Sequence, residues 1–103
     1  MALAPEIFQI TAPLWRWKSA TAPASWYFIT VDPGTAMAIR ADAFDRMGRW
    51  GSVKIIAVIG ETRWQTSLFP HKETGGFLLP VKASVRRAES IAEGDDITVR
   101  LEA

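Results

Sequence analysis

The chain has 103 residues, 49% of them apolar and 22% charged, with 12 basic and 11 acidic side chains, a net charge of +1 and no cysteine. That length is one domain, residues 1–103, and the apolar share is far from that of a disordered chain. The balanced charge argues against a dedicated nucleic-acid binder, and the missing cysteine removes disulfides, thiolate nucleophiles, Fe–S clusters and cysteine zinc sites together.

The opening, Met1-Ala2-Leu3-Ala4-Pro5-Glu6, has no basic region and no apolar core, so no secretory signal is expected. No stretch approaches the roughly 20 apolar residues that cross a bilayer as a helix, and no membrane association is expected. With the lack of cysteine, these features predict a cytoplasmic protein. Glu6 to Trp17 reads as a first strand, with Phe8, Ile10 and Ala12 alternating against Gln9 and Thr11. Ser19 to Ala24 is a small-residue loop. Trp26 to Val31 is a second strand, apolar on both faces apart from Thr30. Asp32-Pro33-Gly34 ends it, because proline supplies no ladder donor and glycine permits a sharp turn.

Thr35 to Met47 has helical periodicity. Ala36, Ile39, Ala43, Phe44 and Met47 fall on one arc, with Asp42 and Asp45 opposite and Arg40 inside the apolar arc. Asp32 or Thr35 suits the start and Gly48 the end. Val53 to Ile59 is a nearly continuous apolar strand. Gly60-Glu61 then has the chemistry of a type II′ hairpin turn. The return strand, Thr62 to Phe69, puts Trp64, Thr66 and Leu68 on one face, and Pro70 is expected to break it.

A polar loop, His71 to Gly76, leads to a short strand at Phe77 to Leu79. Pro80 is placed to open a second helix over Val81 to Ile91. After the Gly94-Asp95 turn, Ile97, Val99 and Leu101 alternate with Thr98, Arg100 and Glu102 as a half-buried strand. The fold class is therefore mainly β: a small closed or nearly closed barrel of about six strands with one or two short helices.

Four segments, in this order and spacing, resemble the DUF1905 family. They are Trp50-Gly51-Ser52-Val53 through Gly60; Trp64 through Pro70; Gly75-Gly76-Phe77-Leu78-Leu79-Pro80-Val81-Lys82; and Val85 through Glu89 with Gly94-Asp95. The likeness is looser at Phe8, Leu14, Trp15 and Trp26-Tyr27-Phe28. It implies a compact six-stranded bacterial β-barrel with a helix packed at its side or end. Some members carry a second domain, which is not expected here because the chain stops after its last barrel strand. The family supplies no established catalytic residues to carry over.

The chemistry-bearing residues are few. His71 is the lone histidine and reads as a solvated loop residue, and Asp95-Asp96 is the only close acidic pair, so no metal and no cofactor are expected. Thr66 and Ser67 read as ordinary strand hydroxyls, with no nucleophile elbow around them. Gly75-Gly76 fits either an anion-binding backbone nest or plain turn chemistry. Lys82, Arg86 and Arg87 form the only dense basic stretch. Lys82 and Arg86, at i,i+4, share a helix face that is either an anion-receiving patch or a solvated face on which Arg86 pairs with Glu89. Arg40 either extends its head to water or points into a barrel mouth beside Lys82 or Arg86. Trp26 and Trp64 read as core, Trp15 and Trp17 share a strand face, and at most two of the five tryptophans are expected to face a ligand.

These residues point to a non-enzymatic binding module. Arg40, Trp64, Lys82 and Arg86 would receive a small anionic or amphipathic ligand, or a protein partner. One alternative is a metal-independent enzyme, although no compelling general base presents itself and no catalytic residue is assigned. The other is a single-stranded nucleic-acid-binding barrel, which needs basic and aromatic residues along one groove. A monomer and a homodimer both fit the pattern.

Overall fold

In the computed structural model, which describes residues 6–18 and 25–103, six strands form an antiparallel sheet that closes on itself. They are β1 (Ile7–Lys18), β2 (Ser25–Val31), β3 (Val53–Ile59), β4 (Thr62–His71), β5 (Gly76–Pro80) and β6 (Asp96–Glu102), in the order β1-β2-β5-β4-β3-β6. Two helices, α1 (Pro33–Asp42) and α2 (Ala83–Glu89), complete the mainly β barrel that the sequence predicts. The expected loop Ser19–Ala24 and the opening Met1–Pro5 lie outside the described residues. No helix among the described residues is long and apolar enough to cross a membrane.

The long first strand closes the barrel. Its residues Ile7–Pro13 pair with β6 and Leu14–Lys18 with β2. Period-2 alternation fills the interior: Ile97, Val99 and Leu101 from β6, Ile55 and Ala57 from β3, Leu14, Ile29 and Phe77 are all buried. The β3–β4 hairpin turns on Gly60-Glu61, with Ile59 opposite Thr62. Gly60 has φ 56° and Glu61 lies at negative φ, as a type II′ turn requires.

Helix α1 begins where Asp32 accepts the Thr35 N–H at 2.9 Å, with Pro33 in its first turn. Ala36, Ile39 and Ala43 are buried, as their arc predicts. The helix ends at Asp42, with Ala43 as its cap, short of the expected Met47, and a 3-10 turn follows at Phe44–Arg46. That change of path takes Phe44 off the apolar arc and leaves it 82% exposed. Arg46 folds back onto Asp42 at 3.0 Å, tying the turn to the helix.

Both predicted proline effects need correction. Pro70 does not break β4: the strand runs on to His71, with Pro70 opposite Phe77. β3 pairs with β4 only as far as Leu68, so Pro70 lies where β4 is paired on one edge, and its missing N–H interrupts no second ladder. Pro80 does not open a helix. It is the last residue of β5, opposite Phe28, and α2 starts after Lys82 and stops at Ser90, which has φ 54°.

The β4–β5 ladder is short, holding only Phe69↔Leu78, Pro70↔Phe77 and His71↔Gly76. Just beyond β5, the Val81 N–H donates to the Tyr27 carbonyl at 2.9 Å, so the odd residues of this segment turn their N–H groups toward β2. The even residues face β4, and there Pro80 has no N–H to give. Consequently β4 from Arg63 to Ser67 is paired with β3 on one edge and with no strand on the other.

Candidate functional site

A cavity of about 310 Å³ opens where β4 and β5 part company. Tyr27 and Trp64 enter it from β2 and β4, Thr66 and Pro80 border it, and Lys82, just before α2, and Arg86, in the last turn of α2, stand over it. The parity of each strand sets this arrangement. Ile29 and Val31 point inward on β2, so Tyr27 does too, and Trp64 shares the inward face of β4 with Leu68. Trp64 is 8% exposed, part of the core and part of the cavity wall.

Arg86 is held in place. Its guanidinium carbon lies over the Tyr27 ring, 3.8 Å from the centroid, and its Nε donates to the Val81 carbonyl at 3.2 Å. It does not pair with Glu89, which instead accepts the Thr62 hydroxyl at 2.6 Å. Among the described residues neither Lys82 nor Arg86 makes an ion pair, and no carboxylate lines the cavity. Behind the cavity wall, Arg16, opposite Tyr27 on β1, donates through Nε to the Ser25 hydroxyl at 2.9 Å, and Ser25 lines the cavity. Two lining cations, Lys82 and Arg86, with no acid among the lining residues give the opening a positive potential.

Three of the four residues singled out in the sequence thus come together, and Arg40 does not join them. Its guanidinium lies over the Phe77 ring, 4.5 Å from the centroid, and donates to the carbonyls of Gly75 and Gly76 at 3.3 and 3.4 Å. That is the opposite end of β5 from Lys82 and Arg86. The Gly75-Gly76 turn is not an anion nest. Its amides are used internally, Gly75 on the His71 carbonyl and Gly76 on the Thr74 hydroxyl, while its carbonyls hold a cation.

Other expectations change as well. His71 is not a solvated loop residue: it ends β4, half-buried, with Nδ1 3.0 Å from the Thr74 hydroxyl. Trp26 is not core. It faces outward opposite Trp17 and is 55% exposed. Beside that pair, Trp15 lies opposite Phe28, their rings 5.3 Å apart, so three tryptophans line one outward hollow of about 540 Å³. Trp50, with φ 69°, stands apart and is 88% exposed.

A broader groove of about 810 Å³ crosses the outer face of β3 and β4, from Glu102 past Gln65 and Ser67 to Phe69 and Pro80. Its main charge contact is internal, Arg63 to Glu102 at 2.7 Å. The groove meets the smaller cavity at Gln65, Thr66 and Pro80, which line both. Sequence reading missed Tyr27, Arg16 and this junction. For Tyr27 a signal was present, its two-residue spacing from Ile29 and Val31.

The family model for DUF1905, a domain of unknown function, matches residues 11–101. No curated protein matches the chain.

Proposed function

We propose that this chain, which belongs to the DUF1905 family, is a binding module that receives the anionic end of a small amphipathic ligand in the cavity between β4 and α2. The observation that carries this reading is Arg86, stacked on Tyr27 with Lys82 beside it above Trp64, in a cavity without a carboxylate. Holding the guanidinium on a ring fixes it before a ligand arrives, which lowers the ordering cost of binding. The Tyr27 stack and the Val81 carbonyl use its face and Nε, leaving its terminal nitrogens for a carboxylate, phosphate or sulfonate. Trp64 and Pro80 supply the apolar wall. A volume of about 310 Å³ suits a small ligand rather than a nucleotide-sized one. A cytoplasmic location belongs to this proposal and rests on the cysteine-free composition.

The test is a titration with 8-anilinonaphthalene-1-sulfonate, an anion on an apolar ring system, followed by its fluorescence. Saturable binding that weakens with salt, and falls about tenfold in Arg86→Gln, is expected. Trp17→Ala, on the outward hollow, serves as control and should bind as the parent does. Equal binding by the parent and Arg86→Gln defeats the reading.

A further inference from the structure

The edge of β4 that carries no strand, which α2 touches at Thr62 through Glu89, poses a further question. The two-residue turn makes Ile59 and Thr62 a hydrogen-bonded pair, so Thr62, Trp64, Thr66 and Leu68 direct their backbone groups to β3. The alternate residues Arg63, Gln65 and Ser67 direct theirs the other way, where β5 has already ended its pairing. A strand edge of this kind presents main-chain donors and acceptors in the register of an incoming strand. The two faces of the edge each have a hollow. Inward lies the cavity of Trp64, Lys82 and Arg86, and outward the groove of Phe69 and Gln65.

We infer that an extended peptide segment adds to the β4 edge at Arg63–Ser67, placing an acidic side chain between Lys82 and Arg86 and apolar side chains in the outer groove. The inference rests on the reading of the inner cavity as an anion site and names the molecule that brings the anion. The unmatched backbone of Gln65 calls for another backbone, and a strand's side chains alternate with the same period as the two hollows. Charge favours this order: the inner hollow holds two cations outside any ion pair and no acid, whereas the outer groove holds one such cation, Lys54, beside the Arg63–Glu102 pair. Pro80 keeps the edge open, because it is the residue whose N–H would otherwise reach toward Ser67.

The probe is acetyl-Lys-Thr-Val-Glu-Val-Thr-Lys-amide carrying a fluorophore, read by polarisation, with amide exchange of Gln65 followed by NMR. Binding with slowed exchange at Gln65 is expected. Replacing the peptide's Glu by Gln should weaken it about tenfold. N-methylation of the two valines, whose N–H groups face β4, should abolish binding, while N-methylation of the Glu, whose N–H faces away, should leave it. Pro80→Ala, which restores a donor facing β4, should also weaken the peptide, and melting of that variant confirms its fold.

If the naphthalene sulfonate binds through Arg86 and the peptide does not, the edge inference is overturned and the anion site stands. If the peptide binds with Gln65 protected but indifferent to Glu→Gln, the placement of its acidic side chain between Lys82 and Arg86 is overturned, and the sulfonate titration alone decides the anion site. Concentration-dependent dimerisation that protects Gln65 without peptide also overturns the inference, in favour of a second copy of the chain on this edge.

Discussion

Arg86 and Tyr27 form a stacked pair, guanidinium carbon to ring centroid 3.8 Å, joining the last turn of α2 to the inner face of β2. The pair holds a half-buried charge at the cavity, where no carboxylate lines the wall to neutralise it. It also ties helix to sheet. Replacing Arg86 by Ala removes the stack and the bond to the Val81 carbonyl, and should destabilise the fold by about 1–2 kcal/mol in urea unfolding. Tyr27→Leu keeps an apolar side chain in the barrel but frees the guanidinium. It should lower sulfonate affinity severalfold while retaining the native circular dichroism.

Trp64 is wall and core together. Trp64→Ala should cost about 3–5 kcal/mol, the range for emptying a large aromatic site, read from the urea midpoint. Trp64→Phe should keep the fold and enlarge the cavity, so that probe binding changes more than stability does.

Asp32 gives an acid-side prediction. The Thr35 backbone N–H, and then the Thr35 hydroxyl, hold its carboxyl below the ordinary aspartate value against a small opposing effect of burial. A depressed carboxyl contributes stability that is full above its unfolded pKa and is lost as pH falls through the folded one. The loss from this residue therefore lies below about pH 4. Asp32→Asn, which still caps, should flatten that part of the melting-temperature profile. Asp32→Ala should cost about 1 kcal/mol at neutral pH.

Gly76 is a packing requirement. A Cβ there would run into the Val31 backbone carbonyl, which cannot move without shifting β2. Gly76→Ala should therefore melt far below the parent. Gly94→Ala is the comparison, since Gly94 has φ 93° with open space around it and should cost only about 1–2 kcal/mol of backbone strain.

What could be read ahead was local. The alternation of Ile97, Val99 and Leu101, the Gly60-Glu61 turn and the Asp32 cap each depend on a few adjacent residues, and each is present as expected. β2 defeated the same method because Trp26-Tyr27-Phe28-Ile29 is apolar on both faces. Its parity is set by the pairing of Leu14 with Ile29, and Trp26 turned outward as a result. Pro70 and Pro80 looked like breakers, but whether a proline ends a strand depends on which edge is paired. Arg40 was placed on the correct arc of its helix. Its partners, the Gly75 and Gly76 carbonyls, lie 35 and 36 residues away, and no periodicity announces them. The gathering of Trp64, Lys82 and Arg86 was anticipated, and the ring that organises it was not.

The position of β6 between β1 and β3 sets a timetable for folding. Thr11 and Thr98 share a hydrogen bond across 87 residues of chain, so the first strand of the barrel waits for the sixth to be made. Until then the sheet is a curled strip with β1 and β3 as open flanks, each able to recruit a neighbouring nascent chain. Closure of so distant a pair carries a large loop-entropy cost ahead of its reward and belongs among the slow steps of small-domain folding. The vulnerable period in this protein's life is the interval before β6 is inserted, and substitutions that delay β6 should show themselves as lost yield before they show themselves as lost stability.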